Sequence, residues 1–231
     1  MPTPQYMMST VTMDLLIQSP EMFLSDFVPN RCLTLPDTVS FSFGSIGTPG
    51  AQKVAYFGQS LTIPLFEDEY RVCLKQSYYS KDITDESGNE CTVVITNTDS
   101  TQYRDLTLEL NNQAWAAALL REVYAHCDTL IETQGLAVHL PRMQFVDMVL
   151  AFDVDASNTS RGCVYLVEPR IDSEQEGKFV KYINNNSPDP LIKEYDSDFN
   201  DRAIFLSFVQ HAQYALTGGM VYTSDFQGIH I

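Results

Sequence analysis

Basic residues are scarce in this chain: 14 Lys and Arg stand against 30 Asp and Glu in 231 residues, a formal charge of −16. Binding to nucleic-acid backbone or to an anionic membrane needs clustered cations, so neither class of partner is expected. Each lysine inside a strand pattern becomes informative for the same reason. Long apolar runs are also missing. Nowhere do about 18 apolar residues follow one another, the length a membrane helix needs. The opening MPTPQYMMSTVTMDLL has neither a basic leader nor an apolar core, so no signal peptide is expected. Cysteines are few, odd in number and without CxxC spacing: Cys32, Cys73, Cys91, Cys127 and Cys163. Set mostly in apolar runs, they read as small buried hydrophobes of a reducing, intracellular, cytoplasmic compartment, not as a disulfide framework. The P-loop pattern GxxxxGK[ST] is absent as well.

What is present is enough apolar material for a large core, with 44% hydrophobic and 11% aromatic residues. Residues 1–36 are punctuated by Met, Pro and Ser without a sustained period. They read as a loosely attached lead-in, with one short helix near Met13 to Gln18. From Ser40 the pattern is β: FSFG, then a Gly-rich turn holding Gly44, Gly47 and Gly50, then AQKVAYFG. A third strand is expected from Tyr70 to Ser77 and another within CTVVITN. Leu106, Leu110, Ala114, Ala117, Leu120, Tyr124, Cys127 and Ile131 recur at spacings of three and four, predicting a long helix from Asp105 to Thr133 that Gly135 ends. Strands follow at Phe145 to Phe152, Cys163 to Val167 and Lys178 to Tyr182. A helix from about Asp201 to Leu216 is expected to bury Ile204, Phe205, Phe208 and His211, and Met220 to Ser224 reads as a last strand. The fold class is therefore α+β: a curved antiparallel sheet carrying one long helix in a first lobe (37–168), joined by a hinge to a smaller second lobe (169–231).

Polar residues are used oddly along these strands. In VEPRIDSEQEGKFVKYINNN, Glu168 follows a buried strand directly, Lys181 lies inside another strand, and three Asn come in a row. Lys75 falls inside a third strand, where it must snorkel to water, pair with an acid or grip a ligand. Glu109, close to the apolar face of the long helix, is the natural partner for such a lysine unless it is simply solvated. The Gly47 turn can close over phosphates or serve as a plain hairpin. Asp225 and Gln227 place a carboxylate and an amide oxygen two residues apart, a pairing that can face one hard cation such as Mg²⁺.

VEPRI…GKFVKYINNN, then a helix carrying FVQHAQY, then TGGMVYTSDFQG, together resemble the atypical protein kinases of the alpha-kinase family. The relevant family signatures are a GxFxKYNNN-like strand, a helix of the FSHxTY kind and a D[LFY]QG turn. The likeness runs from about Phe41 to Gly228. His211 stands fourteen residues before Asp225, as the family's helical His stands before its aspartate. The resemblance implies a two-lobed protein-kinase-like fold and an ATP-dependent Ser/Thr kinase acting on a protein hydroxyl. Lys75 would hold the α/β-phosphates with Glu109 a possible partner, Glu168 would meet adenine at the hinge, and Gly47 would cover the nucleotide. Lys181 would lie near the transferred phosphate, Asp225 would be catalytic, and Asp225, Gln227 and Asn185 would hold Mg²⁺. Family members also carry zinc on the helical His with a later His/Cys cluster. This sequence ends in GIHI, so His211 is expected without its zinc partners and the second lobe incomplete, with self-association through an uncovered face. The alternative implied is a pseudokinase, a non-catalytic nucleotide-binding or interaction module. An acidic α+β binding protein without nucleotide is a third reading.

Overall fold

In β4 (Arg71–Thr84), Val72 and Leu74 point to one face while Cys73 and Lys75 point to the other, the period-2 pattern of a strand covered on both sides. The computed structural model describes residues 4–7, 41–47, 52–61, 64–66, 69–84, 88–153, 164–172, 177–192 and 198–229. The helix expected at Met13 to Gln18 and the turn residue Gly50 lie outside them. β4 is central to an antiparallel sheet in the order β1-β6-β7-β4-β3-β2. Its other strands are β1 (Pro4–Met7), β2 (Phe41–Ile46), β3 (Lys53–Ser60), β6 (Val149–Asp153) and β7 (Val164–Pro169). Pairing β6, residues 4–7 belong to this sheet rather than to a detached lead-in.

Past Ser77, β4 leaves β3 and pairs instead with β5 (Glu90–Thr96). Gln102, fully buried, fixes the changeover: its Oε1 accepts the Ser77 N–H at 2.7 Å and its Nε2 donates to the Ser77 carbonyl at 2.6 Å. One face of the sheet packs Phe41, Val54, Tyr56, Val72, Leu74, Val149, Ala151, Tyr165 and Val167 into a core. On the other face Leu150, Val164 and Leu166 meet Leu106 of the long helix α1 (Asp99–Gln134).

α1 begins at Asp99 rather than Asp105, because Thr98 supplies the start: its carbonyl accepts the Gln102 N–H at 2.8 Å, and Asp99 suits the positive end of the helix dipole. Its stop is the one that Gly135 predicts. Gly135 has φ 64, its N–H reaches the Glu132 carbonyl at 3.4 Å, and the Leu136 N–H reaches the Ile131 carbonyl at 3.0 Å, a Schellman end.

The chain divides into two compact units, one containing 19–113 with 146–170 and the other containing 114–145 with 171–231. The division is not a single cut near residue 168, since the later part of α1 groups with the C-terminal residues. In this second unit Leu120, Val123 and Cys127 of α1 pack with Tyr182, Ile183 and Phe226 and with Ala203, Phe205, Leu206 and Val209 of α2 (Asp198–Leu216).

The buried face of α2 differs from the expected one. Phe205 is buried, but Ile204 and Phe208 are 53% and 45% exposed and His211 is exposed. The stripe that turns inward carries Asn200, Gln210 and Gln213 among its apolar residues, so hydrophobicity alone points to the wrong side. Two further expectations shift. The strand expected from Phe145 starts only at Val149, and the strand expected from Met220 to Ser224 is absent, residues 221–226 having no regular structure. The pairing there comes later, between β11 (Gln227–Gly228) and β8 (Val180–Lys181). β9 (Ile183–Asn184) and the Pro-bearing edge strand β10 (Ser187–Pro190) form a small hairpin.

Candidate functional site

Within the first unit the sheet gathers charge on the face that carries α1. Cys73 is in register with Glu168 of β7, and Lys75 with Leu166 and with Ala55 of β3. Lys75 and Glu168 are thus diagonal neighbours on one face, and they form an ion pair. Lys53, two residues from Ala55, shares that face and pairs with Glu109 of α1. The expected Lys75–Glu109 bond is therefore corrected: Glu109 takes Lys53, and Lys75 takes Glu168. Glu109 still acts on Lys75 through its charge.

Burial by itself pushes the Lys75 ammonium down, yet the Glu168 charge and hydrogen bond outweigh it and hold the lysine above its ordinary value. It stays cationic at neutral pH. Glu168 lies inside β7 rather than beyond it in a hinge, because β7 runs on to Pro169, opposite Val72. Gly47 follows β2, and its N–H already donates to the Ala55 carbonyl at 2.8 Å. Gly44 stands within β2, where a Cβ would meet the Phe57 carbonyl oxygen at 2.7 Å.

In the second unit the antiparallel pairing of β8 with β11 sets Lys181 opposite Gln227. The Phe226 carbonyl accepts both the Tyr182 N–H at 2.9 Å and the Ile183 N–H at 3.3 Å. Between Ser224 and Phe226 the backbone turns through Asp225 at φ 60, the only non-glycine with positive φ among the described residues. Asp is one of the few residue types that enter this region readily, and such conformations gather at functional sites. The turn aims the Asp225 carboxylate at Lys181, Oδ1 to Nζ 2.7 Å. Lys181, Asp225 and Gln227 are thus brought together within one unit.

Asn185 takes its place in the two-residue turn of the β9–β10 hairpin, exposed to solvent. His211 lies on α2, and among the described residues no three His, Cys, Asp or Glu side chains cluster as a metal would need. A zinc site on His211 therefore does not fit the described residues. Mg²⁺ fits better, because Asp225 and Gln227 offer hard oxygen donors, and this ion needs only one or two protein groups beside phosphates.

Sequence reasoning missed Lys53, which lies at a strand start and gives no local sign of its partner. It also missed Gln210 and Gln213, whose spacing on α2 is visible in FVQHAQY but whose partner is a loop thirteen and ten residues on.

Comparison with known proteins bears on the same stretch. The profile of the alpha-kinase family matches residues 50–231. No curated protein matches the chain. Among solved structures, the inactive alpha-kinase domain of myosin heavy chain kinase A in complex with ATP is similar at 13% identity and a TM-score of 0.45, over 83% of this chain and 72% of that one. The alpha-kinase domain of myosin-II heavy chain kinase A in complex with AMP-PNP is similar at 16% identity and a TM-score of 0.44, over 84% of this chain and 71% of that one.

Proposed function

The chain belongs to the alpha-kinase family, and on that premise we propose that it is an ATP-dependent Ser/Thr protein kinase passing the γ-phosphate of ATP to a protein hydroxyl. Lys75 carries this reading: a lysine kept charged inside a sheet by Glu168 is a fixed cation of the kind that phosphate oxygens require. Phosphoryl transfer asks the protein chiefly for position and charge neutralisation. Lys75 would grip the α/β-phosphates, Glu168 and its neighbours would meet the adenine edge, and the segment around Gly47 would cover the nucleotide. Lys181 would neutralise the phosphoryl group in transit, with Asp225 as the catalytic carboxylate. Asp225, Gln227 and Asn185 would hold Mg²⁺, which would supply charge neutralisation for the phosphates.

In this reading the architecture is the family's two-lobed one. The test is incorporation of labelled γ-phosphate into a general protein substrate, with and without Mg²⁺. Mg²⁺-dependent incorporation into Ser or Thr is the expected result; none at any Mg²⁺ concentration overturns it. Nucleotide binding without transfer would instead identify the non-catalytic module, which keeps Lys75 for the same reason.

A further inference from the structure

Residues 221–226 form no strand, yet the loop is fastened at one residue after another. The Val221 N–H donates to the Thr217 hydroxyl at 3.2 Å. The Thr223 N–H donates to Gln213 Oε1 at 2.7 Å, and the Thr223 carbonyl accepts from Gln210 Nε2 at 3.1 Å. Ser224 Oγ donates to the Asn184 carbonyl at 3.0 Å, and the Phe226 carbonyl takes the two N–H groups of Tyr182 and Ile183. Asp225, the residue at φ 60, sits between the last two of these fixed points. Gln213 and Gln210 are 0% and 3% exposed, on the helix face that also buries Ala203, Leu206 and Val209.

Glutamine is seldom fully buried. A Leu or Met of similar volume would fill the same space, so filling space does not account for two amides here. What the amides add is a clamp on both backbone polar groups of Thr223. A left-handed aspartate cannot hold its carboxylate in place without such a frame, because the strained conformation persists only where its surroundings over-determine it.

We propose that Gln213, together with Gln210, is a positioning residue for Asp225: the pair fixes Thr223 so that the carboxylate is presented beside Lys181 and Gln227. The inference rests on the phosphoryl-transfer reading above. Neither amide touches nucleotide or substrate in it; each acts through the loop. Loosening the clamp therefore lowers turnover and weakens the binding of the Mg²⁺ that Asp225 serves, and leaves the grip of Lys75 on nucleotide unchanged.

The experiment compares wild type, Gln213→Met and Gln210→Met in the phosphate-transfer assay, titrating ATP and Mg²⁺ separately and recording Tm for each protein. The expected result is a fall in kcat of about a hundredfold, the order that a 1 Å misplacement costs. A several-fold rise in the half-saturating Mg²⁺ concentration accompanies it, with KM for ATP within about twofold of wild type. Gln213→Glu, which keeps an acceptor for the Thr223 N–H, recovers part of the loss. Folded Met variants with wild-type kcat and Mg²⁺ dependence would overturn the proposal while wild-type activity leaves the kinase reading intact. So would a parallel loss of kcat, ATP affinity and Tm, the mark of general damage. If Gln213→Met does not fold, Gln210→Met, which spares the shorter of the two bonds, decides alone. A wild type without transfer sinks the kinase reading itself, and this proposal with it.

Discussion

Cys73 lies between Val72 and Leu74 in β4, and burial, followed by the nearby Glu168 charge, pushes its thiol up to about 11. Only a thiolate reacts quickly with alkylating agents. Cys91, exposed in β5, is thus expected to be labelled by iodoacetamide at neutral pH long before Cys73, a ranking that peptide mass spectrometry reads directly; equal rates would contradict the burial of Cys73. The neighbouring Lys75–Glu168 pair makes a second prediction. Lys75→Met leaves Glu168, whose side chain is 14% exposed, without its cation, at an expected cost of about 1–3 kcal/mol. Adding Glu168→Gln should return most of it.

The pH dependence of that pair follows from its sign. Lys75 is held above the ordinary lysine value of about 10.4, so its stabilisation is complete below that value and is lost as pH rises through the higher folded one. The Tm gap between wild type and Lys75→Met is then flat from about pH 7 to 9 and closes above about 10.5. A gap that narrows already at neutral pH would mean that Glu168 does not hold the lysine charged.

At the scale of elements, β2 and β3 approach more closely than any side chain permits. A Cβ on Gly58 would meet the Ser42 carbonyl oxygen at 2.6 Å, a backbone atom that cannot swing aside, whereas one on Gly88 would meet nothing within 4 Å. Gly58→Ala is expected to cost about 2–3 kcal/mol by forcing the strands apart. Gly88→Ala should cost less, through its φ of 84 alone. Urea titration of both variants checks the order.

Elements with strong periods were the legible ones. The central β4 and the Gly-stopped α1 can be read from their residues, because alternation and three/four spacing are local properties. On helix α2 the hydrophobic period points to the wrong face, because Gln210 and Gln213 are buried against the Thr223 backbone, a tertiary reason with no local trace. Residues 220–224 look like a strand by composition, but side chains of α2 and strand-end backbone take the hydrogen bonds that a neighbouring strand would have supplied.

For the whole molecule, the candidate site was legible as a set of residue types and not as a set of pairs. Lys75 and Lys181 stand out in an acidic chain because each interrupts an apolar strand. Their partners Glu168 and Asp225 are fixed by strand register and by one left-handed turn, which the sequence encodes only through the completed fold. In the proposed kinase, Lys75 would grip nucleotide phosphate and Asp225 would serve the accompanying metal. Isothermal titration of wild type, Lys75→Met and Asp225→Asn with ATP, in the presence and absence of Mg²⁺, tests it most directly. Wild type is expected to bind ATP, and more tightly with Mg²⁺; Lys75→Met loses about tenfold or more in affinity under both conditions, the order of a 1.4 kcal/mol contact, and Asp225→Asn binds ATP but no longer gains from Mg²⁺. Wild type that takes up no ATP, or a Lys75→Met variant that binds as wild type does, would contradict it.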